Sequence, residues 1–355
     1  MRLKTLPALL LSLSSFTISA QGANQYSSKI WTAEKAKEWY ARHKWINGAN
    51  FIPGTAINQL EMWQAETFDP ATIDRELGWA EGIGFNTMRV FLHSVAWKTD
   101  ATGFKQRINR YLAIAAKHHI QTIFVFFDDC WNSNPRPGKQ PEPKQGIHNS
   151  GWMQDPGVVV NAPDLANLKV YVDDILTTFK HDDRILLWAL YNEPGNNNKN
   201  EKSLGLLTKV FEWAHTINPD QPVSVGLWNW DFETLNRLQI KNSDIITYHC
   251  YDTPDMHQRV VKLLKLYGRP AICTEYMARS RNSTFENTMP MLKKENVGAI
   301  NWGLVAGKTN TIYAWDTPIA DGSEPKEWFH DIFRKDGTVY KADEVQVIKE
   351  LNGKK

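Results

Sequence analysis

The stretch "ILLWALYNEPGN", residues 185–196, begins with seven residues that carry apolar or aromatic side chains and then stops at an amide, an acid and a proline. A half-exposed strand alternates polar and apolar residues. A run that is apolar on both faces belongs to a strand buried between layers, as in parallel sheets covered by helices. Asn192 and Glu193 therefore stand at the mouth of a buried strand, where an unpaired charge is costly. Such a placement calls for a chemical reason.

Working outward, the same kind of run recurs along the chain. Residues 49–54, 86–92, 120–128, 185–193, 222–228, 244–251, 270–276 and 299–305 read as strands. Between them lie stretches with apolar residues at helical spacing: 70–84, 104–119, 162–182, 204–219, 254–268 and 283–298. Several begin near a proline or end at a glycine, as helices do. Eight strand signals alternating with helices predict a single-domain (β/α)₈ barrel, with a doubly wound open sheet as the other arrangement of such units. Two connections are oversized: the proline-rich residues 129–162 after the third strand and 306–325 after the eighth. Both leave the C-terminal face, where barrel active sites lie.

Composition narrows the function classes. The chain has 355 residues, 42% hydrophobic and 23% charged, so a packed core is expected. A formal net charge of +2 without a dense basic run argues against nucleic acid and anionic membranes as partners. Arg2 and Lys4 followed by an apolar, serine-containing stretch read as a secretory signal peptide over residues 1–20, cleaved after Ala20, with the remaining chain secreted or periplasmic and not stably inserted in a membrane. Export would permit disulfides, yet there are three cysteines, Cys130, Cys250 and Cys273, and buried free thiols are the expectation for the last two. No paired-ligand spacing implies a metal, and no cofactor is implied. A monomer is expected.

The C-terminal ends of the predicted strands collect the residues that can do chemistry. They offer Arg89 and His93, then Asp128, Asp129 and Trp131, then Asn192 and Glu193, Trp228, His249 and Tyr251, Glu275, and Trp302. Two glutamates among polar groups and tryptophans suit a polyhydroxylated substrate, because sugar rings stack on indoles and their hydroxyls need hydrogen bonds. Cleavage of a glycosidic bond uses two carboxyl groups, one protonated and one ionised. At ~5 Å separation and an effective dielectric near 20, the second negative charge costs about 3 kcal/mol. That is about two pKa units, enough to lift one glutamate towards 6–7. Arg89 is the cation that would decide which carboxyl stays charged, with Tyr251 as a donor to the same group. Asp128 and Asp129 could contact a distal sugar or cap the strand end. Trp131, Trp152, Trp228 and Trp315 are possible subsite walls.

"LYNEP" on the fourth strand and "TEY" on the seventh resemble the clan A glycoside hydrolases, the retaining (β/α)₈ enzymes that include the family 5 cellulases and mannanases. The resemblance runs from about residue 45 to 340. It implies Glu193 as acid/base, Glu275 as nucleophile and Asn192 as a contact to the substrate's 2-hydroxyl. It extends to Arg89, His249 and Tyr251, and to Trp302 as the floor under the cleaved sugar. His93 would bond the substrate or the surroundings of the nucleophile. An oligosaccharide or polysaccharide is the implied partner. A carbohydrate-binding protein without turnover, and a transglycosylase with the same residues, remain open alternatives.

Overall fold

Eight strands form at the predicted places: β1 Asn47–Asn50, β2 Thr87–Phe91, β3 Gln121–Asp128, β4 Ile185–Asn192, β5 Val223–Ser224, β6 Ile246–His249, β7 Ala271–Glu275 and β8 Gly298–Asn301. The computed structural model describes residues 26–158 and 162–354; the leader assigned to residues 1–20 lies outside the described residues. The strands are parallel and ordered β5-β4-β3-β2-β1-β8-β7-β6. A parallel bridge between Leu227 and Tyr248 joins the two ends of that order and closes the barrel. There Leu227 N donates to Thr247 O over 3.0 Å and His249 N donates to Leu227 O over 2.8 Å.

The period-2 geometry of strands divides the apolar runs between two cores. Ile123, Val125, Leu187, Ala189, Ile272 and Ile300 fill the barrel interior. Their neighbours Phe124, Phe126, Trp188 and Leu190 face outward against the helices. Outside, Phe124 packs on Trp63, Tyr111 and Trp188 at ring separations of 6.4, 6.1 and 5.8 Å. Each such side chain removed from water contributes about 1.5–3 kcal/mol. Both faces are thus apolar for different reasons, which is why these runs do not alternate.

Helix starts follow their caps. Pro70–Gly82 begins after Asp69, whose Oδ1 accepts from Thr72 N at 3.0 Å. Ala101–Lys117 begins earlier than predicted because Asp100 caps it, accepting from Gly103 N at 2.9 Å. The helix predicted at 283–298 shrinks to Met289–Lys294. Pro290 confines the helix to its C-terminal side, and Asn287 Oδ1 accepts from Thr284 N at 2.9 Å, holding a turn upstream. Helices at Ala33–Ala41, Glu233–Asn242 and Ala342–Leu351 had no prediction. Among the described residues no helix is long and apolar enough to cross a membrane.

Candidate active site

Strand register delivers the charged residues to one level of the barrel mouth. Asn50 on β1 lies opposite Arg89 on β2, Asp128 on β3 opposite Asn192 on β4, and His249 on β6 opposite Glu275 on β7. Arg89 is 1% exposed and links three of these strands to its own. Its Nη1 donates to Glu275 Oε1 at 2.7 Å and to Asn50 Oδ1 at 2.8 Å, and its Nη2 donates to Asn192 Oδ1 at 2.7 Å. Tyr251 OH donates to Glu275 Oε2 at 2.9 Å. Asn192 is fixed from both sides, because its Nδ2 donates to Asp128 Oδ1 at 2.9 Å. The same Nδ2 also lies 3.8 Å from Cys130 Sγ.

Glu193 follows the last residue of β4 in the left-handed region, with φ of +45°. A non-glycine residue there is uncommon and must be held by its surroundings. Asp129 holds the turn that follows: its Oδ2 accepts from Gly195 N at 2.8 Å and from Ser203 Oγ at 2.6 Å. Lys199 Nζ and Tyr191 OH bond its Oδ1 at 2.7 and 2.8 Å. Within that turn Glu193 Oε2 accepts from Asn196 Nδ2 at 2.5 Å and from Cys130 Sγ at 3.2 Å. Its Oε1 lies 2.9 Å from His249 Nδ1.

One oxygen of Glu193, one of Glu275 and a ring nitrogen of His249 all lie within 4.8 Å of one another. Burial pushes both carboxyls above the usual carboxylate range. The counterweights are unequal. Glu275 has Arg89 and Tyr251 in contact, whereas Glu193 has a thiol and an amide and feels Arg89 only at longer range. These contacts favour the ionised form of Glu275 more than that of Glu193. Burial also pushes His249 down to about 4, so its imidazole is neutral between them. These three groups are spaced closely enough to chelate a cation, but the Arg89 guanidinium on Glu275 opposes one.

The structure brings together Glu193, Glu275, Asn192, Trp131, Trp228, His249, Tyr251 and Trp302 as lining of one cleft of about 410 Å³. Three residues read as substrate contacts take other positions. Arg89 sits behind Glu275 and Asn192 instead of facing the cleft. Asp128 is 2% exposed and bonds Asn192, Cys130 N and Trp152 Nε1, the last at 2.7 Å. His93 is fully buried as the cap of the helix Ser94–Thr99, with Nε2 3.1 Å from Gln154 O and Nδ1 accepting from Val95 N at 3.2 Å. Its main chain ends a strand run, but its ring turns back to the helix it caps. Asp129 caps the turn after Glu193, and Trp152 underlies Trp302 at 5.5 Å between rings. Trp315 lines the cleft.

Sequence reasoning missed Asn50, Cys130 and Asn196 as partners of the central charges, and His148, Asn149, Trp230 and His330 as cleft lining. The position of Asn196, three residues after Glu193 across a proline-glycine turn, was the available signal for one of them. The loop residues carry no periodic signal at all. All three cysteines are free and buried.

No family model matches the chain, and no curated protein does. Solved structures match its fold. Over 88% of its length the chain is similar to 99% of a hyperthermostable endo-1,4-beta-D-mannanase from Thermotoga petrophila, at 14% identity and a TM-score of 0.56. Over 87% it is similar to 92% of a glycoside hydrolase family 5 mannosidase from Rhizomucor miehei, at 15% identity and a TM-score of 0.56. It also matches 59% of an exo-beta-1,4-mannosidase from an Opitutaceae bacterium over 87% of its own length, at 15% identity and a TM-score of 0.62. These likenesses establish the barrel fold.

Proposed function

We propose that the chain is a retaining β-glycosidase. The observation that carries this reading is the Glu193–Glu275 pair, whose facing oxygens lie within 4.8 Å. A retaining pair needs ~5–5.5 Å between carboxyl groups and an inverting pair ~6.5–9.5 Å, so the spacing favours double displacement. Glu275 Oε attacks the anomeric carbon as Glu193 gives its proton to the departing oxygen. The glycosyl ester on Glu275 removes that residue's charge, which lowers the cost of ionising Glu193. Glu193 then takes a proton from water, whose oxygen attacks the same carbon and displaces Glu275. Arg89 and Tyr251 hold the nucleophile ionised and oriented. Trp302, which lines the same cleft as both glutamates, is the proposed floor under the cleaved sugar. The mannanase and mannosidase activities of the matching proteins make β-1,4-manno-oligosaccharides the first substrates to try, beside β-glucans and β-xylans. Export through the N-terminal leader belongs to the same proposal.

Proton NMR of early products from an aryl β-glycoside tests the mechanism. The expected first anomer is β. Glu275→Ala should abolish turnover. Glu193→Ala should keep cleavage of a dinitrophenyl glycoside, with azide restoring a β-glycosyl azide. An α first product would end the retaining assignment. Sugar binding without product from any variant or the parent would favour a binding protein instead.

A further inference from the structure

The two long connections meet over one end of the cleft. Asn149 N donates to Thr309 O at 2.8 Å, Ile319 N to Gly146 O at 3.0 Å, and Asn310 Nδ2 to Lys144 O at 3.0 Å. A side chain at Gly146 (φ +78°) would put its Cβ 1.9 Å from Ile319 O, so the loops close main chain on main chain. This is the Glu275 end. Tyr251, which bonds Glu275, packs on Trp315 and His330 at ring separations of 4.9 and 5.8 Å. The Glu193 end differs: Trp228 Nε1 donates to Pro194 O at 3.1 Å, and Trp230 is 41% exposed. In a double displacement the sugar attacked by the nucleophile lies on the nucleophile's side, and the leaving group on the acid's side. The closed end therefore receives the non-reducing sugar and the open end the rest of the chain.

The closed end holds polar groups that the protein does not satisfy. Asn149 is 2% exposed, and neither its Oδ1 nor its Nδ2 has a partner among the described residues. His330 is fully buried, and its Nδ1 lies 2.6 Å from Met277 O, a carbonyl that can only accept. Nδ1 therefore carries the hydrogen. Burial keeps the ring neutral, so Nε2 is a bare acceptor, and it too lacks a partner. His148 is half-buried beside it: Nδ1 donates to Tyr313 O at 2.9 Å, burial of the ring pushes its pKa down to about 4, and the ring lies 5.5 Å from that of His330. Acceptor nitrogens and a free amide call for hydroxyl donors and disfavour a carboxylate, which offers only lone pairs. Arg281 also lines the cleft, but its guanidinium pairs with Asp316 and lies over Trp315, so its charge is already matched.

We propose that Asn149, His148 and His330 form a pocket for the hydroxyls of a terminal, uncharged sugar, so that the enzyme trims chains from the non-reducing end and does not cut within them. This rests on the glycosidase reading and adds direction and substrate charge to it.

The test sizes early products from reducing-end-labelled β-1,4-manno- and gluco-oligosaccharides, and follows viscosity on the polymers. Titration calorimetry of the wild-type protein with mannose, glucose and glucuronate runs beside it. Expected are labelled products shortened one sugar at a time, little early loss of viscosity, and binding of a neutral monosaccharide but not of the uronate. Asn149→Ala and His330→Ala should each weaken that binding and lower kcat/KM about ten- to a hundredfold. His330→Gln, which can return an acceptor, should recover part of it, and thermal melting checks that each variant folds. Random internal cleavage, preference for the uronate, or unchanged monosaccharide binding in folded Asn149→Ala and His330→Ala would overturn the pocket while leaving the glycosidase reading intact. Absence of any turnover would overturn that reading, and the calorimetry would still decide the pocket.

Discussion

Replacing Arg89 with methionine removes the guanidinium in contact with Glu275 while keeping much of the side-chain volume. The Nη1–Oε1 distance is 2.7 Å and both side chains are nearly inaccessible. With charge centres ~4 Å apart and an effective dielectric near 20, the attraction is about 4 kcal/mol. Its loss raises the nucleophile's pKa by about three units, because 1.36 kcal/mol is one unit. Glu275 would then protonate at the pH where Glu193 must also hold its proton. The acid limb of kcat/KM, which reports ionisation of the nucleophile, should move upward by about 2–3 units and run into the alkaline limb set by Glu193. Peak activity should fall at least a hundredfold. The protein should still fold, since a carboxyl that takes a proton avoids the ~3–5 kcal/mol cost of an unpaired buried charge. The assay is a pH series of kcat/KM on an aryl glycoside, with thermal melts at each pH. An acid limb left at its wild-type position, in a folded variant, would refute the idea that Arg89 sets the charge on Glu275.

Three further outcomes follow from the same contacts. Tyr251→Phe deletes a 2.9 Å bond to the Glu275 carboxylate, worth about 1.5–3 kcal/mol, and should lower kcat about ten- to a hundredfold; steady-state rates equal to wild type would count against it. Cys130→Ala deletes the thiol that donates to Glu193 Oε2, so the alkaline limb of kcat/KM should shift upward by a fraction of a pH unit, while Cys130→Ser should restore it; a pH titration of both variants reads this. Glu76 is buried below Gly54 N with its carboxyl pushed up to about 7, so the folded state holds a proton that the unfolded chain releases near 4.5. Its contribution to stability is fully present below about 4.5 and declines as pH rises to about 7, and Glu76→Gln should flatten that decline in Tm; an unchanged slope would show that Glu76 does not titrate there.

The barrel was legible because strands apolar on both faces and helices with one apolar stripe leave different periods. Glu193 and Glu275 were legible because a charge at the end of such a strand has no structural need to be there. Arg89 was legible as the pairing cation but not as a residue hidden behind its partners. Which way an inward side chain reaches depends on the level it occupies in the barrel, and Arg89 lies opposite Asn50, below the cleft. His93 and Asp128 misled for a related reason: strand ends are also helix starts and turn anchors, and a polar residue serves either end equally well in one dimension. Strand β5 was predicted over seven residues, 222–228, and pairs as a named strand only over Val223–Ser224, because closure past it falls to the single Leu227–Tyr248 bridge. His148, Asn149 and His330 were illegible, since only contacts between segments far apart in sequence bring them to the cleft.

Polar groups at this barrel mouth fall into two sets with different energetics. Those on the strands are largely paired: Arg89 uses both terminal nitrogens, Glu275 both oxygens, and Asn192 both ends of its amide, while Arg89 Nε and His249 Nε2 have no partner among the described residues. Donors fixed before any ligand arrives need not reorganise when charge develops, which is where such a site gains rate. Those brought by the loops are not saturated. Each buried donor or acceptor without a partner costs about 1–3 kcal/mol, and Asn149 with His330, both among the cleft lining, holds three such atoms. A folded chain that needed only a tight loop contact could place apolar side chains there and be more stable. Keeping them makes sense where a ligand's own hydroxyls complete the bonds, so the penalty in the free protein becomes discrimination in the complex. On the proposed reading the strands set what bond is broken, and the loops set which sugar is offered to it.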